Sequence, residues 1–165
     1  MERIVIFLDN SNIFKGFQKY DTQANYETLK NIIKGERKLE AIYLYEGVVY
    51  PISSAKANWY KELSNRSDYI IKATFDKIVS KGAIEKKVDI SMAIDIISLG
   101  YENAYDTAVL ISGDGDFVPV VKKVLEMGKK MEVWAFKYSL ANALIEETGL
   151  DNIYYLDDIL DEIKL

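Results

Sequence analysis

The chain has 165 residues, 49% hydrophobic and 28% charged, with a formal net charge of −5. That is the size and composition of one globular domain, residues 1–165, with a core large enough to fold alone. Cysteine and histidine are both absent, which excludes disulfides, thiolate catalysis, Cys-based zinc sites and Ser-His-Asp chemistry.

The expected elements follow in chain order. Arg3–Leu8 is almost continuously apolar and reads as a buried strand. Asn25 or Thr28 starts a helix to Ile33, with Gly35 as its stop. Glu40–Tyr50, rich in tyrosine and valine, reads as a second strand. Ser53–Ser64 carries Ala55, Trp59, Tyr60 and Leu63 at helical spacing. Asp68–Phe75 is a third strand. Val88–Leu99 is a helix with Ile90, Ala93, Ile94 and Ile97 as its apolar set and Gly100 at its C-cap. Thr107–Ile111 and Met131–Phe136 are short β-prone runs. Phe117–Met127, with Pro119 in its first turn and Gly128 as its stop, is the helix between them. Ser139–Glu147 is helical, Ile153–Leu156 an edge strand, and Asp157–Leu165 a short terminal helix.

Alternating strands and helices imply an α/β fold: a mostly parallel central sheet covered by helices on both faces. No apolar run approaches the roughly 20 residues of a membrane span, and no signal-peptide layout precedes the first strand. No membrane partner is therefore expected, and a cytoplasmic location is the default expectation. Ligands of open α/β sheets bind outside the carboxyl ends of the strands. Asp9 ends the first apolar run, and Asp114 and Asp116 lie just past the end of a later one.

These carboxylates are the most chemical feature of the sequence. Brought together at adjacent strand ends they repel one another, and a divalent cation is the usual remedy. Oxygen-only ligands favour Mg2+ or Mn2+ over zinc. The tetrad Asp9-Asn10-Ser11-Asn12 suits metal ligation through Asp9 and hydrogen bonding through Asn12, and it equally suits a helix N-cap. In Ser112-Gly113-Asp114-Gly115-Asp116-Phe117 the glycines let the backbone turn sharply, and the two carboxylates can converge on one cation. The helical pattern that follows weighs against an Asp-Gly hairpin. Asp89, after Lys86-Lys87-Val88, reads as a helix N-cap or as a further ligand with two lysines suited to phosphate oxygens. Ser91, Asp95 and Ser98 draw a polar stripe, so Asp95 reads as part of a solvated helix face. Tyr43, Tyr45, Trp59 and Tyr60 read either as core or as stacking surfaces for bases.

Charge is uneven. From Ser53 to Lys87 there are eight basic and four acidic residues, a local +4 that leaves −9 on the remainder. This segment is either a solvated face or a track for a phosphate backbone.

Together, Phe7-Leu8-Asp9-Asn10-Ser11-Asn12, Lys86-Lys87-Val88-Asp89 with Asp95, and Ser112-Gly113-Asp114-Gly115-Asp116-Phe117 resemble the NYN domains. The resemblance is to their LabA/DUF88-like branch, within the PIN-like nuclease superfamily. It covers Ile4 to about Phe136 and continues more weakly through Asp151. It implies a three-layer α/β/α sandwich, Rossmann-like in outline. It also implies an acidic centre of Asp9, Asp89, Asp114 and Asp116 for Mg2+ or Mn2+, with Asn12 and Ser112 assisting through hydrogen bonds. Asp95 matches a family aspartate and gains a supporting role, against the solvated-face reading. Asn10, Ser112, Lys86 and Lys87 would contact substrate. Many relatives carry glycine where this chain has Lys87, which makes Lys86 the matching lysine. The implied activity is a divalent-metal-dependent ribonuclease acting on single-stranded or structured RNA; the alternative is an RNA-binding or regulatory module without strong catalysis. A homodimer is among the expected assemblies.

Overall fold

The computed structural model describes residues 1–77 and 81–165, and the side chain of Lys81 lies outside the description. Its strands are β1 (Arg3–Asp9), β2 (Lys38–Val49), β3 (Tyr69–Asp76), β4 (Thr107–Ile111), β5 (Lys130–Ala135) and β6 (Ile153–Tyr155). They pair throughout in parallel, in the order β3-β2-β1-β4-β5-β6. The expected parallel α/β architecture is therefore present. The order also reverses between β1 and β4, which opens a crevice at their carboxyl ends.

Helices cover both faces. α1 (Asn10–Lys19), α2 (Tyr26–Lys34), α3 (Ser54–Arg66) and α7 (Leu160–Ile163) lie on one side, and α4 (Lys81–Tyr101), α5 (Val118–Glu126) and α6 (Asn142–Thr148) on the other. The alternation of β1 builds both layers. Ile4, Ile6 and Leu8 pack with Ile13, Phe17 and Leu29, while Val5 and Phe7 pack with Val88, Met92 and Val121. Among the described residues no helix is long and apolar enough to cross a membrane.

Local signals set most boundaries. The Asn25 side chain caps α2 at the Thr28 amide, and that of Ser53 caps α3 at the Lys56 amide. Pro119 stands in the first turn of α5, and Gly128 ends its last turn with φ +77°. α1 has no counterpart among the expected helices, because its mixed sequence carries only two buried apolar side chains, Ile13 and Phe17.

α4 departs most from expectation. It begins seven residues before Val88, since nothing from Lys81 to Lys87 breaks a helix except Gly82 and Ile84 can bury one turn ahead of Val88. Ile84 packs over Gly47, where a Cβ would lie 1.9 Å from its Cγ2. The buried stripe is thus Ile84, Val88, Met92 and Ile96, and the expected Ile90 and Ile94 are 60% and 58% exposed. Asp89 is consequently interior to the helix and caps nothing. Gly100 also lies inside α4, where its bare backbone gives room to Tyr105 and Met127.

Candidate metal centre

Asp9 is the last residue of β1 and the N-cap of α1. Its Oδ1 accepts from the Asn12 amide at 3.4 Å, and its Oδ2 accepts from Ser112 Oγ at 2.9 Å. The cap reading and the strand-end reading of the tetrad therefore hold together. Asp9 is nearly enclosed, and burial pushes its carboxyl up to about 6. Ser112 and Asn12 pull it down, while the charges of Asp114 and Glu85 push it further up.

The segment after β4 is tied to the same point. Asn12 Oδ1 accepts from the Gly113 amide at 3.3 Å, and Ser112 Oγ accepts from the Asp114 amide at 3.2 Å. Asp114 Oδ1 then accepts from the Asp116 amide at 2.9 Å, starting a 3-10 turn that leads into α5. The glycines serve a different purpose from the expected sharp turn, since neither has positive φ. At Gly113 a Cβ would stand 2.5 Å from the Ser139 carbonyl oxygen and 2.9 Å from Leu140 Cα. Glycine is required there because two backbones touch.

Asp89 reaches this loop from α4. Carboxylate oxygens of Asp89, Asp114 and Asp116 lie within 4.8 Å of one another. Asp9 does not join them at that spacing, but its charge and those of Asp114 and Asp116, after burial itself, hold the Asp89 carboxyl up at about 7. An all-oxygen donor set of crowded, uncompensated carboxylates suits a hard divalent cation. Metal–oxygen distances of about 2.1 Å place cis ligands about 3 Å apart, within reach of modest side-chain rotations. The residues present fit such an ion.

Asp9, Asp89 and Asp114 line a cleft of about 490 Å³. Its wall includes three residues that the sequence reading did not single out: Lys15, Glu46 and Glu85. Lys15 Nζ pairs with Glu85 at 3.1 Å. Glu46 accepts from Asn10 Nδ2 at 2.9 Å, from Lys56 Nζ at 2.8 Å and from the Tyr60 hydroxyl. Their signal was present in part: a glutamate inside the apolar run from Ala41 to Val49, and a lysine one turn past Ser11 once α1 is recognised.

Several expected site residues do other work. Asn10 is buried at the wall of a second cavity rather than in the acidic cleft, with its Oδ1 accepting from Tyr26 OH at 2.6 Å and its Nδ2 donating to Glu46 at 2.9 Å. Ser112 is buried too and positions Asp9 and Asp114. Lys86 and Lys87 are exposed on α4 and neither lines the cleft; Lys87 pairs with Asp76 at 2.9 Å. Asp95 is part-buried and paired rather than a freely solvated surface group. It accepts from Tyr45 OH of β2 at 2.7 Å and lies 4.0 Å from Lys72 Nζ of β3, which ties both strands to α4. Tyr45 is core, whereas Trp59 borders a second cavity.

The chain is 31% identical over 78 residues to the uncharacterized protein MJ0482 of Methanocaldococcus jannaschii. That stretch is 47% of this chain and 32% of the relative, so the match spans about a third of the relative's length. A crystal structure of VPA0982 from Vibrio parahaemolyticus, a protein of unknown function, superposes with a TM-score of 0.81 at 19% identity. It covers 99% of this chain and 96% of that one, and establishes likeness of fold. The NYN domain model matches residues 3–155, and the chain belongs to that family.

Proposed function

We propose that this protein is a divalent-metal-dependent ribonuclease, with residues 1–165 acting as one domain. The observation that carries the reading is the convergence of Asp89, Asp114 and Asp116 at the switch point of an NYN fold. These three would hold Mg2+ or Mn2+, with Asp9 beside them. Bound there, the ion supplies a water of lowered pKa and charge against the phosphate oxygens. The chain's own residues prepare the site. Ser112 and Asn12 hold Asp9 and the Gly113–Asp116 loop in register. Asp9 and Asp89, whose carboxyls stand at about 6 and about 7 in the metal-free cluster, would give up their protons as the cation binds. Lys15, paired with Glu85 on the cleft wall, sets a cation where a phosphate backbone would pass.

The test is cleavage of labelled single-stranded RNA with Mn2+ or Mg2+, by wild type and by Asp114→Asn. Cleavage by wild type that falls at least about 100-fold in the variant is the expected result. Equal cleavage by both overturns the assignment. Metal-dependent RNA binding by wild type without product assigns the chain instead to the RNA-binding alternative.

A further inference from the structure

A second cavity of about 510 Å³ adjoins the acidic cleft, and the two share one wall residue, Phe14. Phe14 is 55% exposed, on the same helix whose Ile13 and Phe17 are fully buried. Among the described residues its ring stacks on no other. An aromatic ring left in water between two cavities is a poor choice for stability and a suitable one for a ligand. The far wall carries Trp59 and Tyr26, whose rings meet edge to face at 5.3 Å. Lys56 holds its ammonium 5.1 Å from the Trp59 ring centre. That lysine is anchored by Glu46, which borders the acidic cleft. Gln23 and Ser53 add polar edges.

We propose that this cavity takes an unpaired nucleobase of a single RNA strand, stacked on Phe14, whose adjoining phosphate lies on the Asp89–Asp114–Asp116 cluster. Each part of the site has a matching part in a nucleotide. Flat aromatic walls match the base faces, the side-chain amide and hydroxyl match the base edge, and the acidic cleft across Phe14 matches the metal-bound phosphate. Duplex bases are paired and stacked internally, so they cannot enter. The site therefore selects single strands by shape. This placement rests on the ribonuclease reading of the cleft.

The test uses a single-stranded RNA decamer carrying one 2-aminopurine, whose fluorescence is quenched by stacking. It is titrated with the full-length protein in Ca2+, to neutralise the carboxylates. Wild type is expected to bind and quench, and a duplex of the same sequence is not. Phe14→Ala should weaken binding about 10-fold and lose the quench, and Phe14→Trp should restore both. Phe14 is exposed enough for its removal to leave the fold intact, checked by thermal denaturation; Trp59→Ala should act in the same direction. Unchanged binding and quenching by Phe14→Ala overturns the proposal, as does equal duplex binding or no quench by wild type. Cleavage in Mn2+ separates the two ideas. Cleavage that persists with no dependence on Phe14 removes the base site only. Quenching that depends on Phe14 with no cleavage by wild type removes the ribonuclease reading and leaves the base site standing.

Discussion

Replacing Asp89 by asparagine should stabilise the metal-free protein, and the amount should depend on pH. The Asp89 carboxyl sits at about 7 in the fold against an ordinary 3.8, a displacement of about three pH units. At about 1.4 kcal/mol per unit the nominal strain is about 4 kcal/mol. Asp89 is only half-buried and shares its proton with neighbours, so solvent screening reduces this to about 1–2 kcal/mol. The raised value fixes the direction. Below about pH 4 both folded and unfolded forms are protonated and nothing is lost. As pH rises through 3.8 the unfolded chain ionises first, and the fold loses stability until about pH 7, above which the full cost persists. Asp89→Asn removes that cost. Thermal denaturation in EDTA at pH 8 should show the variant roughly 2–8 °C more stable, with most of the gain gone at pH 4.5. Saturating Mn2+ should reverse the order, because wild type alone keeps all three carboxylates for the cation. A variant no more stable than wild type at pH 8, or equally favoured at both pH values, would refute the strained-cluster argument.

Two further predictions follow from the same geometry. Divalent-metal affinity, measured by titration calorimetry, should rise between about pH 5 and pH 7.5, because Asp9 at about 6 and Asp89 at about 7 must give up protons to the cation; a flat profile would show that neither group takes part. Gly113→Ala drives a methyl group into the Ser139 carbonyl at 2.5 Å and should cost about 1–3 kcal/mol, lowering Tm by roughly 3–10 °C and weakening metal affinity as Asp114 moves. An unchanged Tm would mean that the two backbones separate freely.

The sequence revealed the fold more readily than the site. Strands such as Arg3–Leu8 and Thr107–Ile111 are buried on both faces, so their composition declares them. Strand order has no such signature, yet it brings Asp9 beside Ser112. Asp114 and Asp116 were legible because the residues after them are helical and because capping and convergence use the same backbone. Asp89 was legible as a residue and misleading as a cap: helix starts are marked locally, but the start of α4 is set by Ile84 packing on Gly47 in a distant strand. Lysines near an aspartate suggested phosphate contact, but α4 turns Lys87 towards Asp76 and leaves Lys86 off the cleft. Asn10 looked like a ligand-binding amide, and its bonds link Tyr26 to Glu46 behind the wall of the second cavity. Polar type alone does not say whether a side chain faces a cavity or closes a network behind it.

The strand order has a consequence for how the acidic site is assembled. β1 and β4 are hydrogen-bonded neighbours although about a hundred residues separate them. Everything from α1 to α4 must be made and folded back before Ser112 can reach Asp9. Contacts this distant in sequence form late, after their loop-closure entropy has been met by other packing. A nascent or partly unfolded chain therefore has its carboxylates dispersed and holds no cation at this point. Metal binding reports the pairing of β1 with β4 rather than the folding of any local segment, and a bound cation stabilises the fold by an amount that grows with its concentration relative to its Kd. A carboxylate cluster built in this way stays incomplete until β4, its last central strand, is in place.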